Sequence, residues 1–151
     1  MAGAVEVIEQ RDADGRLLNR REVLRDDEGG EIPHGLTTVW WENGQRKSEA
    51  SFVYGEPDGL RTAWYSSGQM WSQGEFIADK EHGTWTYWYG DGKKQSEMRF
   101  DHGAWHGVHT RWFENGQKHM EGEWVRGRQK GIHSTWNEAG AVVRQIDYGN
   151  P

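Results

Sequence analysis

Residues 82–100 read His-Gly-Thr-Trp-Thr-Tyr-Trp-Tyr-Gly-Asp-Gly-Lys-Lys-Gln-Ser-Glu-Met-Arg-Phe. Two runs of alternating side chains flank a Gly-Asp-Gly turn, which is the pattern of a β-hairpin. The same register recurs along the chain at a spacing of 24 residues, from His34-Gly35 through Asp58-Gly59, His82-Gly83 and His106-Gly107 to Lys130-Gly131. A Trp stands five residues after each of these glycines: Trp40, Trp64, Trp88, Trp112 and Trp136. An aromatic follows in four of the five, namely Trp41, Tyr65, Tyr89 and Phe113, with Asn137 in the last. A second glycine column, Gly44, Gly68, Gly92, Gly116 and Gly140, marks the turn. Eight residues on comes a third aromatic column, Phe52, Phe76, Phe100, Trp124 and Tyr148. No helical period is visible, and repeats of this length signal an array of identical supersecondary units.

The repeats predict an all-β fold: one elongated antiparallel meander of about 12 strands, on the order of 55 Å long at the usual strand spacing. The predicted units are 34–57, 58–81, 82–105, 106–129 and 130–151, preceded by residues 1–33 as a degenerate capping hairpin with an acidic loop, Asp26 to Glu31. Period-2 alternation puts Leu36, Thr38 and Trp40 on one face and Trp41 on the other, while Ser48, Ala50 and Phe52 share a face on the second strand. One face is expected to hold a ladder of Trp and Phe, with small residues such as Ala50, Gly74 and Gly122 letting the rings nest. The Asn43-Gly44 pair supplies the positive φ that tight hairpins need.

Composition narrows the function. The chain has 151 residues, net charge −6, 10 Trp, 21 Gly and no Cys. So many aromatics argue against disorder. The acidic balance argues against nucleic acid as a partner. Without cysteine there is no disulfide and no thiolate metal site. Met1 to Gln10 has no basic and apolar leader pattern, which predicts a cytoplasmic location. No phosphate loop, dinucleotide fingerprint or hydrolase motif is present, so no enzyme activity and no cofactor are expected.

The recurring pattern His-Gly-x-x-x-x-Trp-aromatic-x-x-Gly-Gln-x-x-x-Glu-Gly-x-aromatic resembles the MORN repeat, in the variant form found in many bacterial proteins. Residues His82 to Tyr89 and Glu121-Gly122-Glu123-Trp124 carry it most clearly. The resemblance spans residues 34 to 148. It implies a rod of β-hairpins without catalytic residues, and roles in protein scaffolding or phospholipid binding. The variant often bears an antitoxin label, which implies a partner toxin. Departures are Ala50 and Met98 where the family has Gly, and Asn137 in place of the fifth aromatic.

Four groups of residues are candidate sites. Trp41, Tyr65, Tyr89 and Phe113, joined by Trp85 and Tyr87, form a row of rings for another protein's surface, unless the sheet curls and buries both aromatic columns. Glu49, Glu97 and Arg61 are expected to set specificity at its rim. The glutamates Glu49, Glu97 and Glu121 read otherwise as a ladder paired with Arg46, Lys94 and Lys118 across strands. His102, His106 and His109 have a spacing that could suggest zinc. However, His82 and His106 occupy the pre-glycine column that elsewhere holds Asp58 and Lys130, so no metal ligand set is expected. Arg126, Arg128 and Lys130 are too few for stable membrane attachment. The expected role is a protein–protein interaction module, with an antitoxin and then a peripheral lipid binder as alternatives. The unprotected edges, the N-terminal hairpin and Val142 to Tyr148, predict an end-to-end homodimer.

Overall fold

The turn chemistry inside each repeat sets the architecture. In the computed structural model, which describes residues 3–150, the Gly44 N–H donates to the Trp41 carbonyl at 2.9 Å and the Trp41 N–H to the Gln45 carbonyl at 2.8 Å. Gly44 has φ +82°, while Asn43 is absent from the positive-φ residues. This is a type I turn closed by a glycine bulge, not a turn with two left-handed residues as Asn-Gly suggests. Asn43 serves through its side chain instead. Its Oδ1 accepts from the Gln45 N–H at 3.1 Å, and its Nδ2 donates to the Ser66 carbonyl one repeat on at 2.6 Å. Tyr65 to Gln69, Tyr89 to Lys93, Phe113 to Gln117 and Asn137 to Ala141 close the same way.

Repeats are joined by a tighter turn. Tyr54-Gly55, Ala78-Asp79, His102-Gly103 and Arg126-Gly127 all have positive φ at both positions, which matches the right-handed twist of the strands they connect. Position 54 and its counterparts therefore hold non-glycine residues in the left-handed region. Sequence placed this turn between Gly55 and Gly59, but the next strand already begins at Glu56.

Thirteen strands result among the described residues. They are β1 Glu6–Arg11, β2 Leu17–Arg25, β3 Glu31–Trp40, β4 Arg46–Val53, β5 Glu56–Trp64, β6 Met70–Ile77, β7 Lys80–Trp88, β8 Lys94–Asp101, β9 Ala104–Trp105, β10 Gly107–Trp112, β11 Lys118–Val125, β12 Arg128–Trp136 and β13 Val142–Asp147. All lie in one open antiparallel sheet in sequence order, with the two-residue β9 set off the path against β8. The expected meander is what forms. The N-terminal cap is the hairpin β1–β2, and its Val23 is fully buried. The acidic loop is itself a hydrogen-bonded turn: Asp26 Oδ1 accepts from the Glu28 and Gly30 N–H groups. The strand beyond it starts at Glu31, ahead of the repeat start predicted at His34. Met1 and Ala2, part of the stretch read for an export signal and of the segment 1–33, lie outside the described residues, as does Pro151 of 130–151.

Register assigns the faces. Thr37 pairs with Ala50, Val39 with Ser48 and Gly35 with Phe52, so these residues define a front face. Thr38 pairs with Glu49 and Leu36 with Ser51, and these share the back face with Trp40. This corrects the expected single ladder of Trp and Phe. The Trp40 column is on the back and the Phe52 column on the front, because the bulge and turn leave each Phe opposite a glycine, as in Gly59–Phe76 and Gly83–Phe100. Trp40 and Trp41 columns are both half-buried on opposite sides of one layer.

The back face is a repeated staple. Lys118 Nζ bonds the Glu121 carboxylate at 2.6 Å, Thr110 Oγ1 donates to the same carboxylate at 3.2 Å, and Lys118 lies 6.0 Å from the Trp136 ring centre. Arg46, Glu49 and Trp64 repeat it, as do Lys94, Glu97 and Trp112. The ion pairs run along one strand at i,i+3, not across strands as expected. They are exposed, so each contributes at most about 1 kcal/mol.

Candidate functional site

The front face is built differently along its length. From β6 onward it is packed with rings. Trp85 is 6% exposed and lies directly on Gly74, where an added Cβ would meet its ring at 2.0 Å. Its Nε1–H donates to the Glu75 carbonyl at 3.2 Å. Phe76 meets it edge-on at 5.1 Å, and Phe100 and Tyr87 complete the cluster. His133 repeats the device on Gly122: its ring occupies the space of the missing Cβ, and Nε2 lies 2.9 Å from the Glu123 carbonyl. His109 holds the same column but faces Met98, not glycine, in its neighbour strand. It is wedged between Trp105 and Trp124 at 5.1 and 5.4 Å, with neither ring nitrogen hydrogen-bonded. Burial pushes its pKa down to about 4, assisted by Arg111 and His133, so the imidazole is neutral.

In the first two repeats that column holds Thr37 and Arg61, and it contributes no ring to the front. A cleft of about 410 Å³ opens there. Its walls are the rings of Trp41, Tyr65 and Trp71, with the edge of Trp64, and its floor is Ser48 and Ala63. Lys47 Nζ stands 4.4 Å from the Trp41 ring centre, a cation–π contact. Arg61 closes the other side and also borders a smaller hollow of about 210 Å³ beside Ala50 and Phe52. Neither cation has a carboxylate partner among the described residues. Burial raises the Tyr87 hydroxyl's pKa, and the charge of Arg61 offsets part of that rise.

The second aromatic column has a structural task that sequence reading missed. The Tyr65 hydroxyl donates to the Trp88 carbonyl at 2.9 Å, Tyr89 to Trp112 at 2.8 Å, and the Trp41 Nε1–H to Trp64 at 3.1 Å. Each ring thus bolts its repeat to the next. Phe113 lacks a donor and lies against the His119 ring at 4.3 Å.

The proposed ring row is therefore only partly assembled. Trp41 and Tyr65 meet at the cleft with Arg61, as grouped from sequence. Trp85 does not belong to an exposed row, because it is buried beneath Phe76 and Phe100. Tyr87, Tyr89 and Phe113 are half-buried. Glu49 and Glu97 cannot rim this surface, since they sit on the back face in the staples with Arg46 and Lys94. Lys47 and Trp71 were overlooked. Their signal was the column Lys47, Trp71, Gln95, His119, Val143, which looks unpatterned until the bulge turns it to the front.

The zinc-like spacing of His102, His106 and His109 does not converge on one point, because His109 is locked in its ring sandwich. The pre-glycine column caps turns: His34 Nδ1 accepts the Tyr54 N–H at 3.2 Å and Asp58 Oδ2 the Ala78 N–H at 3.1 Å. No helix among the described residues is long and apolar enough to cross a membrane.

The family model of the MORN repeat variant matches residues 33–54, 57–78, 81–102 and 105–125, more than half of the chain. No curated protein matches. Among solved structures, a point mutant of S. aureus TarM in complex with fondaparinux, α-GlcNAc-glycerol and UDP is similar at 12% identity over 82% of this chain, with TM-score 0.35. A second crystal structure of TarM is similar at 12% identity over 83% of this chain, with TM-score 0.33. The present chain spans about a fifth of the length of either, 21% and 20%.

Proposed function

Since the chain belongs to the MORN repeat variant family, whose repeats in general contact proteins or lipids, we propose that it is a non-catalytic interaction module that grips an acidic segment of another protein in the front cleft of its first two repeats. The carrying observation is the pairing of an open aromatic cleft with two cations that have no carboxylate partner among the described residues. Rings in a pre-formed pocket give apolar contact at low entropic cost, because they have few rotamers to lose. Lys47 and Arg61 would select a segment bearing Asp or Glu, and would raise its association rate against the net negative charge of the rest of the chain. Bolted repeats supply a stiff backing, so the cleft need not be ordered on binding.

The test is selection from a displayed random peptide library. Wild-type protein is expected to enrich peptides that combine Asp or Glu with an apolar residue. A Lys47→Glu/Arg61→Glu variant, folded by circular dichroism, is expected to lose them or to invert the charge preference. Equal enrichment of the same peptides by both proteins would contradict the assignment.

A further inference from the structure

The third repeat carries chemistry that its sister repeats lack. At the end of β8 and in the turn after it stand Asp101 and His102, and across from them at β7 stands His82. The counterparts of the first two are Val53 and Tyr54, Ile77 and Ala78, and Val125 and Arg126. Neither position is thus held by the demands of the repeat, and His102 occupies the left-handed region at φ +48°. The third group belongs to the pre-glycine column. In the first two repeats that side chain accepts a turn N–H, but, like His106 Nδ1 in the fourth repeat, His82 Nδ1 is shielded from solvent without a hydrogen-bond partner. It lies 3.8 Å from Asp101 Oδ1. His102 Nδ1 is 2.6 Å from the same oxygen, and the two imidazole rings meet edge-on at 5.2 Å.

We propose that His82, Asp101 and His102 bind a divalent transition metal of the zinc class. One ligand atom from each lies within 4.8 Å of the others. Bonds of about 2.0–2.2 Å in a tetrahedral arrangement put ligand atoms about 3.3 Å apart, so the widest pair has to close by about 1.5 Å and the hydrogen-bonded pair to open by about 0.7 Å. Two imidazoles and one carboxylate suit zinc, copper or nickel and not magnesium or calcium, which take oxygen donors. The hydrogen bond between His102 and Asp101 already holds the carboxylate oxygen within 3.8 Å of His82 Nδ1 as well. A metal there would replace that bond, occupy the orphaned His82 nitrogen and tie the turn to the neighbouring strand, leaving a fourth position for water.

The test is titration of tag-free protein with zinc chloride by calorimetry, with thermal unfolding alongside. One zinc per chain and a rise in Tm are expected. His102→Ala installs the residue that the second repeat carries in the same turn, and Asp101→Val the residue of the first and fourth repeats. Each is expected to weaken binding at least about tenfold and to abolish the Tm rise. His119→Ala is expected to change neither. Cobalt in place of zinc gives a visible absorption band that reports imidazole ligation and should vanish in His102→Ala. Zinc bound by His102→Ala as tightly as by wild type, or no heat and no Tm shift at millimolar zinc, would overturn the proposal.

Discussion

The first two repeats and the last three follow one backbone plan and differ in what stands on their front face. In the later repeats a large ring from one hairpin lies on the neighbouring strand of the previous one, as Trp85 does on Gly74 and His133 on Gly122. In the earlier pair the ring is replaced by Thr37 or Arg61, and the glycine by Ala50. The same turns run through both halves, and bolts and back-face staples occur in each, though not in every repeat. What a repeat array needs for folding and what it offers a partner are therefore separable: the backbone plan is shared, and one column decides whether the front is core or cleft.

The largest effect should come from emptying the filled half. Trp85→Ala is expected to cost about 3–5 kcal/mol in urea denaturation, because it removes a buried ring and leaves a cavity over Gly74. Arg61→Ala, at the same position one repeat earlier, is expected to stay within ~0.5 kcal/mol, since that side chain is exposed. Equal costs would erase the contrast.

Acid should weaken the filled half next. The His109 pKa is about 4 in the folded chain against an ordinary 6.5, so the unfolded chain takes up the proton first as pH falls. Its stabilising effect is complete above pH 6.5 and lost on descending from 6.5 towards 4. That shift corresponds to up to ~3 kcal/mol. His109→Phe is expected to flatten the slope of stability against pH in this window. A wild-type profile that is already flat there would contradict the buried, neutral imidazole.

Smaller effects test the shared backing. Tyr65→Phe and Tyr89→Phe each remove one bolt to the following repeat, and each is expected to cost about 0.5–1.5 kcal/mol by chemical denaturation. Phe113 shows that a repeat survives without it. Smallest, and of opposite sign, is the turn Ala78-Asp79, where φ values of +47° and +62° strain the alanine and suit glycine better than aspartate at the second position. Ala78→Asn/Asp79→Gly is expected to stabilise by about 0.5–1 kcal/mol, read as a raised Tm.

The period, the turns and the strand order were legible because glycine and tryptophan columns recur without insertion. Face assignment of the third aromatic column was not, because it depends on a bulge beside Trp40 and on pairing Phe52 with Gly35, neither of which alternation reports. The cleft was legible only in part. Trp41, Tyr65 and Arg61 stood out as columns or as a rim charge, whereas Lys47 and Trp71 belong to it through that same bulge. Trp85 was misjudged because ring size alone does not say which side is covered. Its pairing with Gly74, the one absent Cβ beneath it, is the signal that could have done so.

The most direct test of the account rebuilds the Arg61 wall of the cleft and fills the hollow beside it with the molecule's own solution. Ala50→Gly/Arg61→Trp transplants the Gly74–Trp85 pairing into the first two repeats. The account predicts a variant at least as stable as wild type that no longer retains the acidic peptides selected by the wild-type protein. Undiminished peptide binding by this stable variant would contradict it, and would move the partner site away from the front cleft.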